Sequence, residues 1–256
     1  MAGLDRLQEA IVYSALSGGK RFRPLLTMLT AEALHHNSER TLSFALAIEM
    51  VHTYSLIHDD LPLMDNDDFR RGQPTNHKVF GEAMALLAGD GLLTEAFMLI
   101  AQEYGLNSKL AVELIKILGA AAGVQGMVGG QALDIFQTTA ARSEKEVRHQ
   151  HNLKTGALIR AAIEGGAAIA QADDRTAHHL RQFGQHLGLA FQIADDLHDH
   201  EPGKEEAASL IKVLGVEQTR IELNKISREA LECLKLAGIE DSRLAQMVKY
   251  NLARSS

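Results

Sequence analysis

From end to end the apolar residues of this chain recur at three- and four-residue intervals, and only four prolines, Pro24, Pro62, Pro74 and Pro202, interrupt its 256 residues. That spacing is the period of an α-helix. A chain so poor in helix breakers and so rich in Ala, Leu, Glu, Gln and Lys folds as helix after helix. Leu4, Leu7, Ile11 and Leu16 form a first apolar stripe closed by Gly18-Gly19, and Leu25, Leu26, Leu29 and Leu34 form a second. Further helices are predicted over about 41–57, 83–103, 108–127, 143–171, 173–199, 216–235 and 241–253. Strand-like alternation is absent. The stretches Leu110–Val128 and Ala157–Ala170 are apolar on most faces, so other helices should surround them. The expected fold is all-α: a single large helical bundle around a central apolar cavity, one domain over residues 1–256 with no linker or repeat.

Bulk chemistry removes several classes of function. The formal net charge is −7, which denies the chain the basic footprint of a nucleic-acid binder, so no nucleic acid is expected as partner. A lone cysteine, Cys233, cannot close an internal disulfide, which makes a reducing cytoplasm the expected setting. The first residues carry acid where a secretory leader carries positive charge, and read as helix. The greasiest stretch, Met84–Ile100, is broken by Asp90 and Glu95; it reads as too short and too charged for a bilayer, and no membrane span is expected.

The chemistry concentrates in four places. In His58-Asp59-Asp60-Leu61-Pro62-Leu63-Met64-Asp65-Asn66-Asp67-Asp68-Phe69-Arg70-Arg71, five carboxylates crowd into ten residues with no cation before Arg70. Such a cluster repels itself unless a multivalent cation sits among the acids, and hard oxygen ligands without cysteine favour Mg²⁺ or Ca²⁺. Asp59 and Asp65 are six residues apart, about 240° around an ideal helix, so an unbroken helix would point them to different sides. Pro62 opens the helix end and lets Asp65 swing back. In Phe191-Gln192-Ile193-Ala194-Asp195-Asp196-Leu197-His198-Asp199, Asp195 and Asp199 are one turn apart, with Gln192 on the same face of an otherwise apolar helix. Gly18-Gly19-Lys20-Arg21-Phe22-Arg23-Pro24 puts three cations at a helix start, a fit for a diphosphate. His52 lies two turns before Asp59. Lys154, in Lys154-Thr155-Gly156-Ala157, needs an anion inside its apolar helix; Gln131 and Asp134 share a face after Gly129-Gly130. No P-loop, Ser-His-Asp order or Cys-His pair is present, so diphosphate is expected as leaving group rather than as the group transferred.

These strings, together with Leu-Ala-Gly-Asp at 87–90 and Gly-Gly-Gln-Ala-Leu-Asp at 129–134, run in order from about Leu4 to Asp199 and resemble the trans-prenyl diphosphate synthases, in particular the bacterial farnesyl type. The resemblance implies a Mg²⁺-dependent prenyltransferase, with three ions per site, that joins isopentenyl diphosphate to an allylic diphosphate. It implies Asp59, Asp65, Asp195 and Asp199 as metal ligands, with Asp60 in support. Lys20, Arg23, His52 and Arg71 match the isopentenyl diphosphate site; Arg70, Lys154 and Lys204 match contacts to the allylic diphosphate; Thr155 and Gln192 place oxygens near the carbocation. Tyr54, with Ser55, would floor the pocket and set a C15 product, a smaller residue giving C20. A homodimer is implied as well. After Asp199 the family has a longer, lysine-bearing loop, whereas only 200–206 remains here and Ala207 stands where a second lysine is expected. Rival readings are a geranylgeranyl diphosphate synthase, a terpene cyclase, a catalytically silent subunit and a simple cation binder. The intact acid motifs and the basic set argue against the last three.

Overall fold

The computed structural model describes residues 2–136, 143–200 and 209–253. Their contacts divide into two compact units, one of Met1–Leu25 with Leu42–Ile115, the other of Leu26–Thr41 with Lys116–Ser256. Helix dominates both, as the apolar period requires.

The first unit contains α1 (Ala2–Ala15), the start of α2 (Phe22–Ala33), α3 (Leu42–Asp59), α4 (Asn76–Phe80), α5 (Glu82–Tyr104) and the start of α6 (Ser108–Ala122). Its centre is the packing of α3 on α5, where Phe44, Ile48, Val51, Ile57, Leu92, Ala96 and Ile100 are buried. A two-stranded antiparallel hairpin, β1 (Phe69–Arg70) with β2 (Gln73–Pro74), corrects the expectation of no strands. Its two-residue turn, Arg71-Gly72, has positive φ at both positions, the geometry that matches strand twist in a tight hairpin. The first stripe is also corrected: Leu4 is 58% and Leu16 76% exposed, and Ala10 is the buried residue of α1. Helix α1 is held by buried Ala10, by Tyr13 edge-on to Phe80 at 5.5 Å, and by hydrogen bonds, Asn76 donating to the Ala10 carbonyl and Tyr13 to the Pro74 carbonyl.

The second unit contains the rest of α2, a 3₁₀ turn at Ser38–Thr41, α7 (Met127–Ile135), α8 (Glu144–His151), α9 (Ala157–Ile169), α10 (Asp174–Asp199), α11 (Leu210–Leu214), α12 (Val216–Leu236) and α13 (Arg243–Ala253). The apolar α9 is buried almost all round, as expected; Leu158, Ile159 and Ile163 are fully enclosed, each such side chain stabilising by about 2 kcal/mol. Gly188 lets α10 approach closely, since a Cβ there would stand 2.8 Å from the Gly156 Cα. Ser143 and Glu146 cap α8 reciprocally, and the Asp173 carboxylate caps α10. Between α8 and α9 the chain makes one π-helical turn, Asn152–Gly156, so the predicted 143–171 helix is two helices joined by a wide turn.

Two expectations about apolar helices fail. The 110–128 stretch is not enclosed: Val112, Val124 and Val128 are 49%, 76% and 44% exposed. Nor is the greasy stretch around 84–100 too short, for α5 runs 23 residues with a mean hydropathy of 1.6 in its most apolar window, a third of it buried. By length and composition it and Ser108–Ile135 could each cross a membrane, a test that the core helix of a compact protein also passes.

Candidate functional site

In the first unit the helix α3 stops at Asp59, and the chain folds back through Leu61–Asn66. The Asp65 amide donates to the Asp59 carbonyl at 2.8 Å and the Asn66 amide to the Leu61 carbonyl at 3.1 Å. Pro62 lies in this turn, and the return of Asp65 to the helix end agrees with its expected effect. Asp65 is exposed and Asp59 half-buried. Asp60 behaves differently. It is 3% exposed, receives Arg70 Nε at 2.5 Å, and its carboxyl is pushed up by burial against the opposing pull of that guanidinium. Arg70 also donates to Asp67 at 2.8 Å, so this predicted diphosphate ligand is engaged with two acids.

The hairpin turn carries Arg71 to the glycine turn after α1. Arg71 Nη1 donates to the Gly18 carbonyl at 2.7 Å, and a Cβ on Gly19 would stand 2.7 Å from its guanidinium carbon. Gly18 and Gly19 have φ of 83° and 108°, conformations that side-chain-bearing residues rarely adopt. Arg21 and Arg71, also at positive φ, store local strain of the kind found at functional sites. Arg21 pairs with buried Glu49 at 2.5 Å and donates to the Ala15 carbonyl. One turn beyond Glu49, His52 is held well below its ordinary range by burial and then by the guanidiniums of Arg23, Arg71, Arg70 and Arg21. Arg71 is itself lowered by burial, with Glu49 opposing. Of the residues expected to hold isopentenyl diphosphate, Arg23, His52 and Arg71 thus fall in one electrostatic cluster, with Lys20 exposed in the adjoining turn. Glu49, and its pairing with Arg21, escape the sequence reading. A lone acid in the apolar run Leu42–Ile57, one turn before His52, was the available signal.

Tyr54 is buried in α3, edge-on to His58 with ring centroids 5.6 Å apart; burial and then Asp59 push its hydroxyl up. Ser55 is half-buried and donates to the His52 carbonyl at 2.9 Å.

In the second unit the π turn presents Lys154 and Thr155. Lys154 finds the anion it needs in Asp134 of α7, at 2.5 Å, and Gln150 donates to the other oxygen of that carboxylate. A Cβ on Gly130 would stand 2.3 Å from the Lys154 nitrogen, so the paired glycines serve close packing. Thr155 donates to Gln192 Oε1 at 2.8 Å, Gln192 Nε2 to Asp196 Oδ1 at 3.1 Å, and the Leu210 amide to Asp196 Oδ2 at 3.1 Å. Asp195 is half-buried and Asp199 exposed, one turn apart on α10. Lys204 lies outside the described residues.

Among the described residues no group of three His, Cys, Asp or Glu is gathered tightly enough to enclose a metal. The acids expected as ligands are half-buried, Asp59 and Asp195, or exposed, Asp65 and Asp199. That sparse, all-oxygen donor set fits Mg²⁺, which commonly takes one or two carboxylates and fills its shell with water and substrate phosphate.

A family model described as Polyprenyl synthetase matches residues 4–250. A farnesyl diphosphate synthase from Geobacillus stearothermophilus is 47% identical over 94% of the chain and 79% of its own length. One from Micrococcus luteus is 42% identical over 98% of the chain and 90% of its own. Among solved structures, a geranyltransferase from Legionella pneumophila superposes with a TM-score of 0.90 at 35% identity, covering 98% of this chain and 88% of that one.

Proposed function

The chain belongs to the polyprenyl synthetase family, and on that premise we propose that it condenses isopentenyl diphosphate with dimethylallyl or geranyl diphosphate to give farnesyl diphosphate. The observation that carries this reading is the cluster of half-buried guanidiniums of Arg21, Arg23, Arg70 and Arg71 around His52: with Glu49 on Arg21 and with Asp60 and Asp67 on Arg70, it remains a concentration of donors that fits a polyanion such as a diphosphate.

Arg23, His52 and Arg71, with exposed Lys20, bind and orient the isopentenyl diphosphate. Lys154 and Lys204 bind the allylic diphosphate, and so does Arg70 once it exchanges an acid partner for phosphate. Asp59 and Asp65 from the first motif, and Asp195 and Asp199 from the second, hold Mg²⁺, three ions in all, with Asp60 in support. Bound there, Mg²⁺ supplies Lewis-acid stabilisation of the charge left on the departing diphosphate. Thr155 and Gln192 turn oxygen toward the allylic cation, and the isopentenyl double bond, fixed by the arginine cluster, attacks it before water can; the tertiary cation so formed loses a proton to the departed diphosphate, which restores the double bond. Residues 1–256 act as one synthase domain. Buried Tyr54, beside Ser55, limits the product to C15.

Exposure of the apolar Leu86, Leu87 and Met98 on α5 supports a homodimer, with the helix in protein contact rather than in a membrane. A cytoplasmic setting without nucleic acid suits the charge balance. Incubation with isopentenyl and geranyl diphosphates and Mg²⁺, then chromatography of the dephosphorylated alcohols, tests the proposal. Farnesol supports it, geranylgeraniol shifts it to the C20 alternative, and no elongation favours the silent subunit.

A further inference from the structure

The carboxamide of Gln192 can face Thr155 with its oxygen or with its NH₂, and the two choices present opposite dipoles to whatever lies beyond. The donors and acceptors around it decide between them. Asp196, an acceptor when ionised, receives the backbone N–H of Leu210, the first residue of α11, at 3.1 Å on one oxygen. Its other oxygen lies 3.1 Å from Gln192 and requires a donor, so Nε2 must face Asp196 and Oε1 must face Thr155. Thr155 has one hydroxyl proton and spends it on Oε1 at 2.8 Å. Its oxygen then offers only lone pairs to its remaining surroundings. With the carboxamide reversed, Nε2 would donate to Thr155 and the hydroxyl proton would point outward instead. The carboxylate is well placed to enforce this. Its side chain is 8% exposed, and besides Gln192 and the α11 amide it faces His151, 4.0 Å from Oδ2 and also buried.

We propose that Asp196 is a positioning residue that fixes the Gln192 carboxamide so that Thr155 and Gln192 turn oxygen lone pairs, and not N–H or O–H bonds, toward the allylic cation. The inference rests on the prenyl-transfer reading of this site. It separates the second motif by role: Asp196 serves the electrostatics of the carbocation through its neighbours, whereas Asp195 and Asp199 serve the diphosphate. Stabilisation of the separated charge acts on turnover and not on substrate affinity, which gives the proposal its signature.

A reciprocal exchange of carboxylate and carboxamide tests it. In Asp196→Asn the Leu210 amide still demands an acceptor, so Nδ2 faces Gln192 and the Gln192 amide reverses. We expect kcat to fall by about thirtyfold, with KM for both diphosphates within about threefold of wild type. Gln192→Glu alone sets two carboxylates against each other and should also lose turnover. The double variant restores one donor between residues 192 and 196 and an acceptor for Thr155, and is expected to be faster than either single variant by about fivefold or more. A double variant no faster than the better single one overturns the proposal, and so does an Asp196→Asn enzyme within about threefold of wild-type kcat. Because the double variant is compared with both singles, a fold defect in one single does not remove the test. The side-chain ¹⁵N–¹H spectrum separates this outcome from failure of the functional reading. The Gln192 NH₂ signal, assigned by its loss in Gln192→Glu, should shift in Asp196→Asn and hold in Asp199→Asn, whatever the protein synthesises; an unmoved signal in Asp196→Asn overturns the proposal.

Discussion

The first aspartate motif stands where a helix stops, the second inside a helix that runs on, and the contrast shows two ways of presenting acids. At the first, α3 ends at Asp59 and a turn returns the Asp65 backbone to it, at the cost of a self-repelling acidic segment in the open. At the second, regular i,i+4 spacing in α10 aligns Asp195 and Asp199 without any break. Each motif nevertheless gives its middle aspartate to structure. Asp60 is locked on Arg70, and Asp196 on Gln192 and the start of α11. Adjacent identical residues thus divide between an outer role and an inner one, according to which face of the backbone they leave.

The outer acids carry the largest expected effect. Asp59→Ala should lower kcat by about a thousandfold or more while costing no more than about 1 kcal/mol of stability, since a half-buried acid at a helix end supports far less structure than a buried pair; steady-state kinetics beside a denaturant titration checks both. A variant with near wild-type turnover would remove the metal assignment and with it the contrast. The inner acid should show the reverse. Asp60→Ala strips a buried partner from Arg70 and should cost about 2–3 kcal/mol, read as a shifted denaturation midpoint at constant m.

Packing offers a third test that touches no acid. Gly130→Ala places a methyl against the Lys154 backbone and should cost about 1–3 kcal/mol, with loss of turnover as Lys154 is displaced. The smallest effect concerns pH. Native His52 is held below its ordinary value of 6.5, so the unfolded chain takes up a proton that the folded one refuses. Stability from this group is therefore complete above 6.5 and falls as pH drops through that value. His52→Gln should flatten the acid limb, and calorimetry should show proton uptake when inorganic diphosphate binds the wild type below neutrality.

Much of this was written in the chain. The long helices follow from the apolar period, and the site strings from acid crowding and paired glycines. Short elements escaped: α4 and α11 have five residues each and each strand two, too few for a period to register. The π turn at Lys154 escaped because one extra residue per turn leaves no compositional trace. Arg21 and Glu49 are 28 residues apart and meet only once α3 is laid beside the glycine turn. The 110–128 stretch misled for a physical reason: composition reports that a face is apolar, not what covers it.

The most direct measurement of the central claim is the stoichiometry of one reaction, inorganic diphosphate released against farnesyl groups formed, with Mg²⁺, isopentenyl diphosphate and geranyl diphosphate present. The account predicts equal amounts, and none of either when isopentenyl diphosphate or Mg²⁺ is withheld. Diphosphate release that continues without isopentenyl diphosphate, or without an elongated product, would contradict it.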